Sequence, residues 1–219
     1  MPAESAAARK QRVAKITEIL HRTYPDAKCR LDFRSPLELL VGTILAAQCT
    51  DDRVNIVTKD LFRKYKSAAD YAKADPERLQ QEIRSTGFFR NKAKSIIGAA
   101  ARIIDDFGGQ VPRTMDELLT LPGVARKTAN VVLGNAFGVD EGIVVDTHVI
   151  RVSMRLRITD VAKPQPEKIE QDLMKVIPRE HWGMFSHWLL FHGRAVCKAR
   201  KPDCPHCHIA QLCPSAGKA

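Results

Sequence analysis

Two side chains stand out for their chemistry, Lys127 and Asp146. Lys127 follows the Leu121-Pro122-Gly123-Val124 turn and falls in the first turn of a helix-forming run from Arg126 to Phe137. The free N–H groups of a helix start carry partial positive charge, so an ammonium is disfavoured there and the neutral amine gains. A neutral amine is a nucleophile. The same N–H groups suit a phosphate. One turn could therefore hold a phosphodiester backbone and aim an amine at the adjoining sugar. The plain alternative is that Lys127, like most lysines, is a solvated surface charge. Asp146 closes the apolar run Ile143-Val144-Val145 and precedes Thr147-His148. It suits the N-cap of a helix starting near Thr147, a role compatible with catalysis.

A second constellation lies near the C-terminus, Cys197-x6-Cys204-x2-Cys207-x5-Cys213. Four thiolates fit either a four-iron cluster or zinc, and ligand type does not choose between them. Zinc would favour two CxxC pairs, or a mixed set using His206 or His208; this stretch has one CxxC. The other two cysteines, Cys29 and Cys49, lie far away, so a disulfide framework is not indicated. Closing the loop between Cys197 and Cys204 would present Lys198, Arg200 and Lys201 together, as a knob for phosphate or as a solvated charge run.

The 219 residues carry 35 Lys and Arg against 25 acidic residues, a net +10. That excess favours a polyanionic partner, nucleic acid before membrane. No apolar run approaches the ~20 residues of a membrane span, and no secretory signal opens the chain. A cytoplasmic, nucleoid-associated protein is expected if the source is bacterial. Met1 to Arg12 reads as a disordered basic arm.

The elements around these residues are helical almost throughout. Val13, Ile16, Ile19 and Leu20 form an apolar stripe ending near Tyr24-Pro25. Ser35-Pro36-Leu37-Glu38 and Thr114-Met115-Asp116-Glu117 are capping boxes, the second opening a short helix that runs into Leu121. Val54 to Tyr65, Pro76 to Thr86, and Asn91 to Phe107 repeat the helical period, with Gly108 closing the last. Further helices are expected after Asp146, from Pro164 or Pro166, and from His181 to His192. Trp182 and Trp188 should be core, and His187 and His192 structural. No strand-length alternation and no repeat are present.

With LPGVARKTAN followed by VDTH, and with the cysteine spacing, the chain resembles the helix-hairpin-helix DNA glycosylases of the endonuclease III family, iron–sulfur type. The likeness spans about residues 13 to 213. It implies an all-α, two-lobed fold. One lobe is a six-helix barrel of residues 29–139; the other is a cluster lobe of residues 1–28 and 140–219, with DNA in the groove between. It implies a [4Fe-4S] cluster on the four cysteines, and a monomer acting on duplex DNA that contains oxidised pyrimidines or abasic sites. Lys127 matches the family's nucleophile and Asp146 its catalytic aspartate. Gln48 should fill the gap left by a flipped base. Phe88 falls at a wedge position often held by leucine. Asp51 matches a carboxylate near the active site, or is an N-cap, and His148 is a further supporting candidate. Gly123, Ala125 and Arg126 belong to the DNA-binding hairpin. Arg84, Arg90, Lys92 and Lys94 would be phosphate contacts or a solvated face.

The hairpin departs from the family at Ala125, where a second glycine is usual. If Ala125 sits at positive φ, the cost is roughly 1–2 kcal/mol, and Ala125→Gly should tighten duplex binding. Three rivals are weighed. A monofunctional adenine glycosylase would lack Lys127 and carry a further domain. A non-catalytic helix-hairpin-helix module, or a zinc-stabilised nucleic-acid binder, would not need Lys127, Asp146 and four cysteines together.

Overall fold

The computed structural model describes residues 4–218. Among them are eleven α-helices and no strand, as the helical periodicity requires. The chain divides into two compact units, Cys29–Glu141 and a discontinuous unit made of residues up to Lys28 together with Gly142 onward.

The Cys29–Glu141 unit holds α2 (Pro36–Leu45), α3 (Asp51–Lys64), α4 (Ala68–Ala72), α5 (Pro76–Glu82), α6 (Phe89–Phe107), α7 (Met115–Leu119) and α8 (Arg126–Val132). Its core joins Leu39, Leu40, Leu45, Val54, Tyr71, Ile83, Ile96, Ile103, Leu118 and Val132. Short polar side chains set most of the helix starts. Ser35, Thr50, Ser67, Asp75 and Thr114 each accept a backbone N–H from the first turn, a contact worth about 1 kcal/mol. The Ser67–Asp70 capping box opens α4, a helix the apolar stripes alone do not mark. At the two boxes expected from sequence, the glutamates reach elsewhere: Glu38 accepts from Arg34 N–H and Glu117 from the Thr114 hydroxyl.

The turn between α7 and α8 is seated on α6. A Cβ on Gly123, whose φ is +78°, would stand 2.5 Å from Ser95 Cβ. A Cβ on Gly98 would stand 3.2 Å from Pro122 Cγ. Two glycines thus let the Pro122-Gly123 turn press onto α6, and Gly123 also supplies the left-handed backbone. Past Val132 the helix widens into a π-helical turn, Leu133–Phe137, which Gly138 ends at φ +67°.

The discontinuous unit holds α1 (Ala6–Thr23), α9 (Thr147–Arg155), α10 (Pro166–Val176) and α11 (Trp182–Ala195). Val13, Ile16, Leu20, Val149, Val152, Leu173, Phe185, Trp188 and Leu189 form its core. The N-terminal arm differs from expectation. From Ala6 it is already α1, capped by Ser5. Arg9 pairs with Asp160, and Arg12 donates to the carbonyls of Leu156 and Leu212. Two of the basic residues read as signs of a free arm, Arg9 and Arg12, are the ones that dock it; Met1 to Ala3 lie outside the described residues.

Candidate active site

Lys127 is the second residue of α8, and it is exposed. The N-cap is Ala125, which offers no side-chain acceptor. The first N–H groups of α8 therefore lack the partner that a serine, threonine or aspartate provides at most other helix starts of the chain. An external anion can take that place. Ala125 has φ −98° and ψ 170°, ordinary extended backbone. The positive-φ condition attached to Ala125 is not met; Gly123 carries the left-handed turn. Substituting glycine at 125 relieves no strain. Arg126 is half-buried beside it.

Asp146 is the N-cap of α9. Its Oδ1 accepts from the N–H groups of His148 and Val149, both at 2.8 Å. Two bonds through one oxygen fix the carboxylate's orientation. His148 sits one turn from Arg151, whose Nη2 donates to His148 Nδ1 at 3.0 Å and to the Gly193 carbonyl at 2.9 Å. Burial lowers the His148 pKa below its usual value, Arg151 and Arg194 lower it further, and Asp146 opposes them. A neutral ring accepting at Nδ1 carries its proton on Nε2. α11 can approach this group because residue 193 is glycine: a Cβ there would lie 2.9 Å from His148 Nδ1. Lys127 and Asp146 belong to different units of the chain.

Gln48 and Phe88 share an unusual backbone. Both lie at positive φ, +52° and +46°, which costs a non-glycine residue on the order of 1–3 kcal/mol. Both are exposed, Phe88 to 61%. Phe88 is also the N-cap of α6, without a capping side chain. Asp51 is not an N-cap, since Thr50 takes that position and Asp51 is the first residue of α3. Arg84 and Arg90 lie over the Phe89 ring, at 6.0 and 5.7 Å from its centroid. Lys92 is neither a phosphate contact nor part of a solvated face: it is 5% exposed, and its Nζ donates to two backbone carbonyls.

Cys197, Cys204, Cys207 and Cys213 line one pocket with Val152, Arg155 and His192. Among the described residues, no three His, Cys, Asp or Glu side chains converge closely enough for a single ion. Burial raises the thiol pKa of Cys207 and Cys213, and the neighbouring cysteines add to it; a bound cationic group would reverse that bias. The surroundings supply donors. Arg155 Nη1 stands 3.4 Å from Cys197 Sγ, and His192 Nε2 3.7 Å from Cys207 Sγ. His192 pairs through Nδ1 with the Tyr24 hydroxyl, and burial pushes its pKa down to about 4. A donor set of four thiols ringed by N–H groups fits a thiolate-bound cluster.

The loop from Lys198 to Lys201 is held from inside. Arg155 donates to the Lys198 and Ala199 carbonyls, and Arg151 Nε to the Cys197 carbonyl. Lys198, Arg200 and Lys201 are all exposed, with Lys201 at φ +52°. Sequence reasoning missed Tyr24, Arg151 and Arg155 as supports; His192, expected to be structural, is buried and paired with Tyr24. The four-residue spacing of the two arginines, one helical turn, was the one available signal.

The chain matches the family described as HhH-GPD superfamily base excision DNA repair protein over residues 41–179. It is 56% identical to endonuclease III of Synechocystis sp., covering 96% of this chain and 95% of that one. Against endonuclease III of Bacillus subtilis the identity is 51%, covering 87% and 86%. A trapped endonuclease III–DNA covalent intermediate superimposes with a TM-score of 0.90 at 47% identity, covering 94% and 96%. A thermostable thymine-DNA glycosylase gives 0.85 at 26%, covering 98% and 100%. With the hairpin seated on α6, a lysine in the open first turn of α8 and these relationships together, the chain belongs to the HhH-GPD superfamily of base excision DNA repair proteins, as an enzyme of the endonuclease III type.

Proposed function

We propose that this enzyme is a bifunctional DNA glycosylase and abasic-site lyase that excises oxidised pyrimidines from duplex DNA and nicks the strand by β-elimination. The observation that carries this reading is Lys127 in the uncapped first turn of α8, directly after the Gly123 turn. A protein 47% identical to this one has been trapped as a covalent intermediate with DNA, which supports an amine nucleophile here.

The damaged base must leave the stack before it can be attacked. Gln48 and Phe88 enter the space it vacates. The amine nitrogen of Lys127 bonds to C1′ while the N-glycosidic bond breaks, the base taking the electron pair and a proton. Opening of the sugar ring gives a Schiff base. Loss of a C2′ proton then expels the 3′ phosphate, leaving a nick. Positive charge builds on the sugar as the base departs, and the oriented carboxylate of Asp146 stabilises it. Asp51 and His148 support that site, and Gly123, Ala125 and Arg126 hold the backbone phosphate at the hairpin. Lys198, Arg200 and Lys201 add a second set of phosphate contacts, which position the enzyme without reading sequence.

The four cysteines would hold a [4Fe-4S] cluster. When bound it serves as a structural clasp for a tail that buries little apolar surface of its own. The two domains of this reading are residues 29–139 and residues 1–28 with 140–219, acting as a monomer.

Borohydride trapping on a duplex with one thymine glycol tests the reading. The parent should form a covalent adduct. Lys127→Gln should form none, with turnover down on the order of a thousandfold or more, the scale of removing a nucleophile. An abasic product without an adduct from the parent would move the chain to the monofunctional glycosylases.

A further inference from the structure

We propose that Lys92 is a positioning residue that ties together the two loops bearing Gln48 and Phe88, so that both enter the duplex as one rigid pair. The inference rests on the reading that Gln48 and Phe88 act inside the DNA.

Lys92 lies in α6, four residues after Phe88, and its own N–H bonds to the Phe88 carbonyl at 3.1 Å. Its Nζ donates to the Leu45 carbonyl and to the Thr86 carbonyl, each at 2.8 Å. Leu45 is the last residue of α2, and Thr86 the last residue of the 3-10 turn Arg84–Thr86. Both carbonyls are therefore end-of-helix acceptors of the kind that lacks a partner in its own helix. A cation at a helix C-terminus is also favoured by the dipole. One ammonium satisfies both.

The placement is more telling than the bonds themselves. Leu45 precedes Gln48 by three residues, and Thr86 precedes Phe88 by two. Gln48 and Phe88 are two of four non-glycine residues at positive φ among those described. Such conformations persist only where the surroundings hold them. The bases of both loops meet at one buried atom, Nζ of Lys92. A buried lysine that meets carbonyl oxygens is an expensive way to fill a core position. A leucine or methionine would pack there at less cost. A fixed distance between the two loops is what the ammonium adds. Two side chains that invade the same base step must arrive at a set separation, and a misplacement of about 1 Å at such a site can cost on the order of a hundredfold in rate.

The test separates duplex work from the chemistry of Lys127. Single-turnover excision of thymine glycol from a duplex is compared with cleavage of an abasic site in a single-stranded oligonucleotide, which has no opposite strand and no stack to open. Lys92→Met should slow duplex excision about tenfold or more, the scale of losing a charged hydrogen bond. Its single-strand cleavage should stay within about twofold of the parent. Added to the Gln48→Ala/Phe88→Ala double variant, Lys92→Met should slow duplex excision no further, because it acts through those two residues.

Equal slowing on both substrates, no slowing on the duplex, or a full multiplicative loss in the combined variant would each overturn the brace. A double variant that excises at the parent's rate overturns instead the reading of Gln48 and Phe88 on which the brace rests. Should Lys92→Met not fold, Lys92→Gln is measured on the same substrates by the same criteria. Its amide NH2 can still donate, so it should lose less on the duplex than any variant lacking a donor.

Discussion

The starts of α8 and α9 carry the two candidate catalytic residues, and they are built in opposite ways. α9 is closed by its own chain: Asp146 Oδ1 takes two N–H groups at 2.8 Å. α8 is left open, because Ala125 has no acceptor to offer. The same local need, N–H groups at a positive helix end, is met by a side chain at α9 and by no capping side chain at α8. A carboxylate locked by two bonds cannot swing, which suits a group that must meet a charge at a fixed place. An open helix start suits a ligand that supplies its own negative charge.

Five substitutions break or sharpen the contrast, in falling order of effect. At Asp146 the cap and the chemistry can be separated. Asp146→Asn keeps an oxygen for the two N–H groups but removes the charge. It should lower turnover by about 10²–10⁴-fold with little change in unfolding midpoint. Asp146→Ala should lose the same activity and also about 1 kcal/mol of stability. If both variants lose stability equally and Asn keeps activity, Asp146 is a cap and nothing more. At α8, Ala125→Asp would close the open end with an internal carboxylate. Stability should hold or rise slightly, while duplex affinity falls about tenfold as phosphate is excluded. Titrations across a range of salt should show about one fewer phosphate contact, and unchanged affinity would remove the anion role of this turn.

The pH dependence of α9 is smaller. His148 is held neutral, with its pKa below the ordinary 6.5. Between those two values the unfolded chain binds more protons than the folded one, so stability falls as pH drops below about 6.5. Urea midpoints at about pH 7.5 and about pH 5.5 should differ less in His148→Gln than in the parent, the remaining drop coming from His192, whose pKa burial pushes down to about 4; an undiminished drop in that variant would clear His148 of a part in it. Least of all should follow from Ala125→Gly. Because Ala125 sits at φ −98°, glycine removes no strain, and duplex affinity should stay within about twofold. A large gain would mean that the alanine methyl itself obstructs the phosphate.

Much of the fold was legible because it is local. Caps such as Ser35 and Thr114, and the apolar spacing of α1, α2 and α6, depend on residues three and four apart. The family was legible for the same reason, since the hairpin and the cysteine run are short and contiguous. The local signal fails where contacts are distant in sequence. Basic residues show it best. Arg9 and Arg12 read as a free arm; both pair with nearby Glu4, but they also reach partners 144 to 200 residues away. Arg151 and Arg155 show no such role in sequence, yet they hold the cysteine loop. Lys92 read as a surface charge between Arg90 and Lys94, yet it faces the core. Charge in a sequence says that a partner is needed, not which one.

By itself, then, the sequence determined most of the helices, the hairpin, the candidate nucleophile and carboxylate, and the four thiols, because each is written in residues close together in the chain. Tertiary structure alone decided that Ala125 is extended, and that the Gly123 turn rests against Ser95. It alone decided that Lys92 joins Leu45 to Thr86, and that Tyr24 reaches His192 beside Cys207. Those contacts are set by how helices pack, and the side chains that pack together are not neighbours in the chain.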